Sequence, residues 1–184
     1  MTTASWVKIH GYISIFFLPL ALIYAITGAL IIVGERGNLA KEEHVIKLDH
    51  QLLSDLNAQK NAISDFFSQK GETKLPTGEP KLIRGELYWG LPSSVNVSLK
   101  KGNEPNEAIL QIRKPDLLFS LVILHRARGG RLFDYLGFVF ALAMIFMYLS
   151  GIVIFWKIKS KRIALSLTFA GGTVVTVIVF FLSL

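Results

Sequence analysis

Residues Leu117 to Lys157 read LLFSLVILHRARGGRLFDYLGFVFALAMIFMYLSGIVIFWK. From Tyr135 to Phe155 this stretch is about 21 apolar or small residues with no charge, the length a helix needs to cross a bilayer. His125 and three arginines, Arg126, Arg128 and Arg131, precede the run, and Lys157 follows it. A metal-capable imidazole therefore stands where a membrane helix begins.

Outward from this stretch, Ile9 to Val33 and Ile163 to Leu184 are equally apolar and also lack Lys, Arg, Asp and Glu. With 52% hydrophobic residues and a mean hydropathy of +0.48, the chain is predicted to be a mainly α membrane protein. Three transmembrane helices are expected, with a small α+β domain between the first and second. The predicted segments are 1–33, the first transmembrane helix; 34–116, the α+β domain; 117–131, an interfacial apolar and basic segment; 132–156, the second transmembrane helix; 157–162, a basic loop; and 163–184, the third transmembrane helix. The first run is too long for the apolar region of a signal peptide and no small-residue cleavage site follows it, so it reads as an uncleaved span.

All thirteen acidic residues lie between Glu35 and Asp134, with fifteen of the twenty basic ones; the other five are Lys8, Lys157, Lys159, Lys161 and Arg162. Lys and Arg in short loops set orientation, whereas long loops cross regardless of charge. The KIKSKR connector is thus expected in the cytoplasm, with the N-terminus cytoplasmic and both the long loop and the C-terminus outside. The basic balance reports orientation, and no basic-aromatic motif points to nucleic acid. No Cys is present, so any metal must be held by His, Met, Tyr or carboxylate.

In the first span His10, Ser14, Phe17, Ala21, Tyr24 and Gly28 recur at steps of four and three and share one helix face, with Ile13, Ile15, Phe16, Leu20, Ile23 and Ile26 directed elsewhere. Polar groups in lipid need a partner, and small residues permit close approach. Pro19 is expected to bend the helix locally. A faint echo joins AITGALII (25–32) to YLSGIVIF (148–155): in each, a hydroxyl residue precedes a glycine, Thr27-Gly28 and Ser150-Gly151. This pattern reads as helix packing.

In the loop, Leu48 to Gln69 suits one amphipathic helix capped by Asp49 or Ser54, and Lys70 to Pro80 reads as a loop. Three antiparallel strands are expected at 81–89, 94–99 and 108–113. Pro115 ends the last, and the nine-residue apolar segment up to His125 is too short to span, so an interfacial helix is expected.

His10-Gly11 at the start of the first span, Thr27-Gly28 near its end, the outer module, Leu124-His125-Arg126 with Gly129-Gly130, and Ser150-Gly151 with Trp156 form a pattern that resembles the PepSY-associated transmembrane family. The short, three-span form is most similar to VciB-type ferric reductases within it. The resemblance implies a haem-containing inner-membrane protein that passes electrons outward, reduces Fe(III) to Fe(II) in the periplasm and supports ferrous iron uptake.

A lone histidine at a membrane interface is by default a hydrogen-bonded or snorkelling side chain. His10 and His125, predicted at opposite sides of a bilayer core of about 30 Å, cannot hold one iron atom together. Haem in electron transfer takes two axial ligands, His/His or His/Met when Cys is absent. A homodimer would meet this need with two haem b groups, one between paired His10 and one between paired His125; alternatively, each histidine pairs with a residue from another helix. Arg126, Arg128 and Arg131 suit haem propionates, an anionic ferric chelate or lipid headgroups. His44 and His50 read as surface histidines, and Met144 and Met147 as packing. No nucleotide-binding glycine motif occurs, so the electron donor is expected to be a quinol or a cytoplasmic reductase. The alternative reading is a membrane-anchored binding module, or an accessory transporter subunit, without redox chemistry.

Overall fold

The computed structural model describes residues 2–71 and 75–184. Glu72, Thr73 and Lys74, in the expected loop, lie outside the described residues. Among the described residues, three helices are long and apolar enough to cross a membrane: Thr3–Ile32 (α1), Arg131–Trp156 (α4) and, taken from Lys159 through a short 3-10 turn, Arg162–Leu182 (α5). Their continuous apolar character is the cause, since a helix satisfies its own backbone where lipid cannot. α1 runs through Pro19 as one helix.

The chain divides into two compact units. The helical unit consists of α1 up to Leu22, α4 from Phe138, and α5. The sheet-bearing unit runs from Ile23 to Gly137.

The sheet-bearing unit contains β1 (Leu39–Lys47), α2 (Leu56–Gln69), β2 (Lys81–Ile83), β3 (Glu86–Trp89), β4 (Asn96–Lys101), β5 (Glu107–Pro115) and α3 (Leu117–His125). The strands form one antiparallel sheet in the order β1-β5-β4-β3-β2. β5 alternates, burying Ala108, Leu110 and Ile112 on the face that also receives Leu87, Val97 and Leu99. α2 seals this face with Ile63 and Phe67, four positions apart on one side of the helix.

Two expectations for the loop fail here. The five strands exceed the three expected, because β1 was not anticipated and the 81–89 segment folds back at Arg84-Gly85, both at positive φ, into β2 and β3. The single helix expected over 48–69 is a 3-10 turn, His50–Ser54, followed by α2. Asp55 separates them: its extended backbone breaks the helix, and its carboxylate accepts from Asn57 N as the cap of α2. Neither expected cap starts α2; Asp49 instead accepts from Gln51 N in the 3-10 turn.

The chain meets itself where α1 leads into β1 and β5 into α3. Asp116 caps α3 by accepting from Phe119 N at 2.7 Å, while its other oxygen accepts from Asn38 N at 2.8 Å. Both bonds hold its carboxyl below the usual carboxylate range, Phe119 contributing most. Gly37 has φ +75, and a Cβ there would collide with Phe119 N and Asp116 Oδ1. α3 ends just past His125: Arg128 N reaches back to Ile123 O and Ala127 N to Leu124 O, with Ala127 at φ 52. This is the left-handed helix stop that glycine usually occupies.

Candidate functional site

His10 and His125 fall in different units, and each meets a hydroxyl from another helix. In the helical unit, His10 Nδ1 lies 2.8 Å from Ser150 Oγ, joining α1 to α4. In the sheet-bearing unit, His125 Nδ1 lies 2.7 Å from Thr27 Oγ1, joining α3 to α1. Thr27 and Ser150 are each only 1% exposed, so little water competes for these contacts. Both hydroxyls also bond their own helix, Thr27 to Ile23 O at 2.6 Å and Ser150 to Met147 O at 3.0 Å. Among the described residues, neither Nε2 makes a hydrogen bond.

The glycine after each hydroxyl lies beside the same imidazole. A Cβ on Gly28 would stand 3.5 Å from His125 Cε1, and one on Gly151 3.9 Å from His10 Cε1. The Thr-Gly and Ser-Gly echo, read from sequence as packing, therefore marks the two histidine partners. The pairs are 98 and 140 positions apart, so the chain order alone gave no hint of them.

The surroundings differ. Tyr24 lies against His125 with ring centroids 4.7 Å apart and the rings tilted by 32°, and Phe133 lies parallel to Tyr24 at 6.4 Å. Gly137 makes room for the phenol, since a Cβ there would stand 2.7 Å from Tyr24 Oη. Asp134 Oδ1 is buried with no hydrogen-bond partner among the described residues. Around His10, Ser14 donates to the His10 carbonyl at 2.7 Å and lies 3.1 Å from Met147 Sδ. The helical unit contains no Asp or Glu at all.

The inward face of α1 agrees with the expected set and is wider. Phe17 of the shared face is buried, and so are Leu20, which had been directed elsewhere, and Thr27. Arg126, Arg128 and Arg131 lie around the turn from α3 to α4, exposed and without an ion pair among the described residues. His44 is occupied by Lys70, 3.0 Å from its Nε2, and by Glu42 at 3.6 Å; His50 Nε2 bonds Glu107 O at 3.0 Å. Among the described residues, no three His, Cys, Asp or Glu gather to hold a metal ion. In each unit one imidazole has an Nε2 without a hydrogen bond among the described residues, the donor type that a haem iron takes from a protein.

A family model described as the PepSY-associated TM region matches residues 2–159. The chain belongs to that family. The match identifies the family and no subgroup within it, and it covers both histidines, both hydroxyl-glycine pairs and the whole sheet of this PepSY-associated chain. It stops short of α5, which buries no residue in the helical unit. No curated protein and no solved structure matches the chain.

Proposed function

We propose that this chain is a haem-binding electron carrier of the bacterial inner membrane that delivers electrons to ferric iron outside and so supports ferrous iron uptake. The observation that carries the reading is the presence, in each unit, of one histidine gripped through Nδ1 by a buried hydroxyl while Nε2 makes no hydrogen bond among the described residues. Metal-ligating histidines are held in this way, through the ring nitrogen that does not face the metal.

His10 and His125 would hold the haem iron, and pairing of two copies as a homodimer would bring a second histidine to each. Haem, when bound, supplies one-electron chemistry with a potential set by axial ligand and burial. The chain's own residues grip, orient and exclude water: buried Phe17 and Phe140 meet in the helical unit, and Tyr24 covers one face of His125. Arg126, Arg128 and Arg131 attract the propionates or an anionic ferric chelate. In the overall reaction a quinol or a cytoplasmic reductase gives up an electron, and Fe(III) takes it to become Fe(II).

The test is a visible spectrum of the purified protein from haem-supplied cells, with and without dithionite. A Soret band and a reduced α-band are expected, with part of the absorbance lost in His10→Ala and in His125→Ala and nearly all in the double variant. Absence of a Soret band from the wild-type protein sinks the proposal. A second reading, a non-redox binding module, draws on a groove of about 240 Å³ lined by Tyr88, Trp89, Arg113, Phe119 and Ile123. The same spectrum separates the two.

A further inference from the structure

We infer that Thr27 and Ser150 are positioning residues that fix the tautomer of His125 and His10, so that each ring carries its proton on Nδ1 and its lone pair on Nε2. The purpose of this arrangement rests on the haem reading above; its geometry does not.

A hydroxyl has one hydrogen to donate and lone pairs to accept with, whereas a backbone carbonyl can only accept. Thr27 Oγ1 stands 2.6 Å from Ile23 O, so its hydrogen goes there. The 2.7 Å contact to His125 must then be Nδ1–H donating to the hydroxyl oxygen. Ser150 repeats the logic: its hydrogen goes to Met147 O at 3.0 Å, and His10 Nδ1–H donates to it at 2.8 Å. A neutral imidazole with a proton on Nδ1 has none on Nε2. Each relay ends on a helix backbone, which cannot rotate away as a free carboxylate could. In the helical unit no Asp or Glu side chain exists to take the part.

The two relays have one order in the chain, hydroxyl then glycine, and one geometry, the hydroxyl on Nδ1 and the glycine beside Cε1. Two unrelated packing contacts would have no reason to share both. The hydroxyl also tunes the ring: an acceptor on Nδ1–H raises the basicity of Nε2 and favours the more highly charged ferric state of an iron bound there.

The first measurement needs no haem. In the haem-free, full-length chain with ¹⁵N-labelled histidine in nanodiscs, His10 and His125 are expected in the Nδ1–H form. Thr27→Val, nearly the same shape as threonine, should release His125 into a tautomer mixture and leave His10 unchanged; Ser150→Ala should do the reverse. Thr27→Ser and Ser150→Thr should restore the Nδ1–H form. A dominant Nε2–H form in the wild-type chain, or an unchanged Nδ1–H form in Thr27→Val and Ser150→Ala, overturns the inference. The second measurement is the midpoint potential of the haem-loaded protein, which should rise in Thr27→Val and Ser150→Ala and return in the hydroxyl variants. No rise in either, with the tautomer lost, overturns the tuning role. A chain that binds no haem still answers the first question, so the two readings fail separately.

Discussion

The His125 site and the His10 site share one hydrogen-bond device in two kinds of surroundings. His125 stands at the end of a capped short helix, with Tyr24 tilted against its ring, in the unit that holds the sheet and all the Asp and Glu side chains. Around His10, only helices contribute, and the neighbours are Ser14, Met147 and Ser150. The contrast separates what the histidine requires from what each unit happens to supply. The hydroxyl on Nδ1 recurs; the tilted tyrosine, the sheet in the same unit and the acids do not.

The strongest way to break the comparison is to remove the support that only one site has. Phe67 is 1% exposed in the core beneath the sheet, and Phe67→Ala should cost about 3–5 kcal/mol of that unit's stability. Hydrogen exchange should show the amides of β4 and β5 losing protection, while the His10 ¹⁵N signals stay in place. Retained protection would show that the sheet does not depend on this core.

Next in size comes crowding of the tyrosine. Gly137→Ala forces Tyr24 Oη aside and should cost about 1–3 kcal/mol, read by thermal unfolding and by movement of the His125 ring signals. Gly28→Ala places its methyl at ordinary contact distance from the same ring, so it should change stability by no more than about 0.5 kcal/mol. Equal effects would refute the geometry.

Acid should also distinguish the units. The Asp116 carboxyl is held low by Phe119 N and Asn38 N, and the Glu42 carboxyl first by its hydrogen bond to Lys114 and then by that lysine's charge. A carboxyl whose folded pKa is depressed stabilises the fold above the ordinary carboxylate range, and that contribution is lost as pH falls through the folded value. The sheet-bearing unit should therefore weaken in acid, and the helical unit, with no Asp or Glu, should show no loss linked to such side chains. Asparagine caps about as well as aspartate, so Asp116→Asn should keep α3 and flatten the acid limb of a pH series of melts. A limb unchanged in that variant would assign the acid sensitivity elsewhere.

The smallest effect belongs to Ser14. Ser14→Ala removes a hydroxyl that donates within α1 to the His10 carbonyl and lies beside Met147 Sδ, and should change stability by no more than about 0.5 kcal/mol. Equilibrium unfolding in mixed micelles would measure it, and the His125 ring should not respond.

The spans were legible because lipid demands continuous apolar runs, and α3 was legible because Pro115, Asp116 and the run up to His125 mark both its ends. β1 was hidden because Leu39–Lys47 is an edge strand whose half-buried side includes Glu42 and His44, so no apolar alternation announces it. The break at Asp55 was hidden because Leu53, Leu56, Ile63 and Phe67 keep helical spacing across it. Both histidines were legible as candidates, and their partners were visible only as an echo. A hydroxyl and a glycine have too many ordinary uses in a membrane helix for sequence to assign them to a ring more than ninety positions away.

Asp116 and Gly37 carry a mechanical consequence. The two bonds from one carboxylate to Asn38 N and Phe119 N lash together the strand leaving α1 and the helix that ends in His125. Because Gly37 fills no space, the lashing is tight, and any larger residue would act as a wedge. Twist applied at the end of α1, which holds Thr27, reaches α3 across this stitch as well as through the Thr27–His125 contact. The ring and its anchor are therefore tied at two points, and slack at one is taken up at the other.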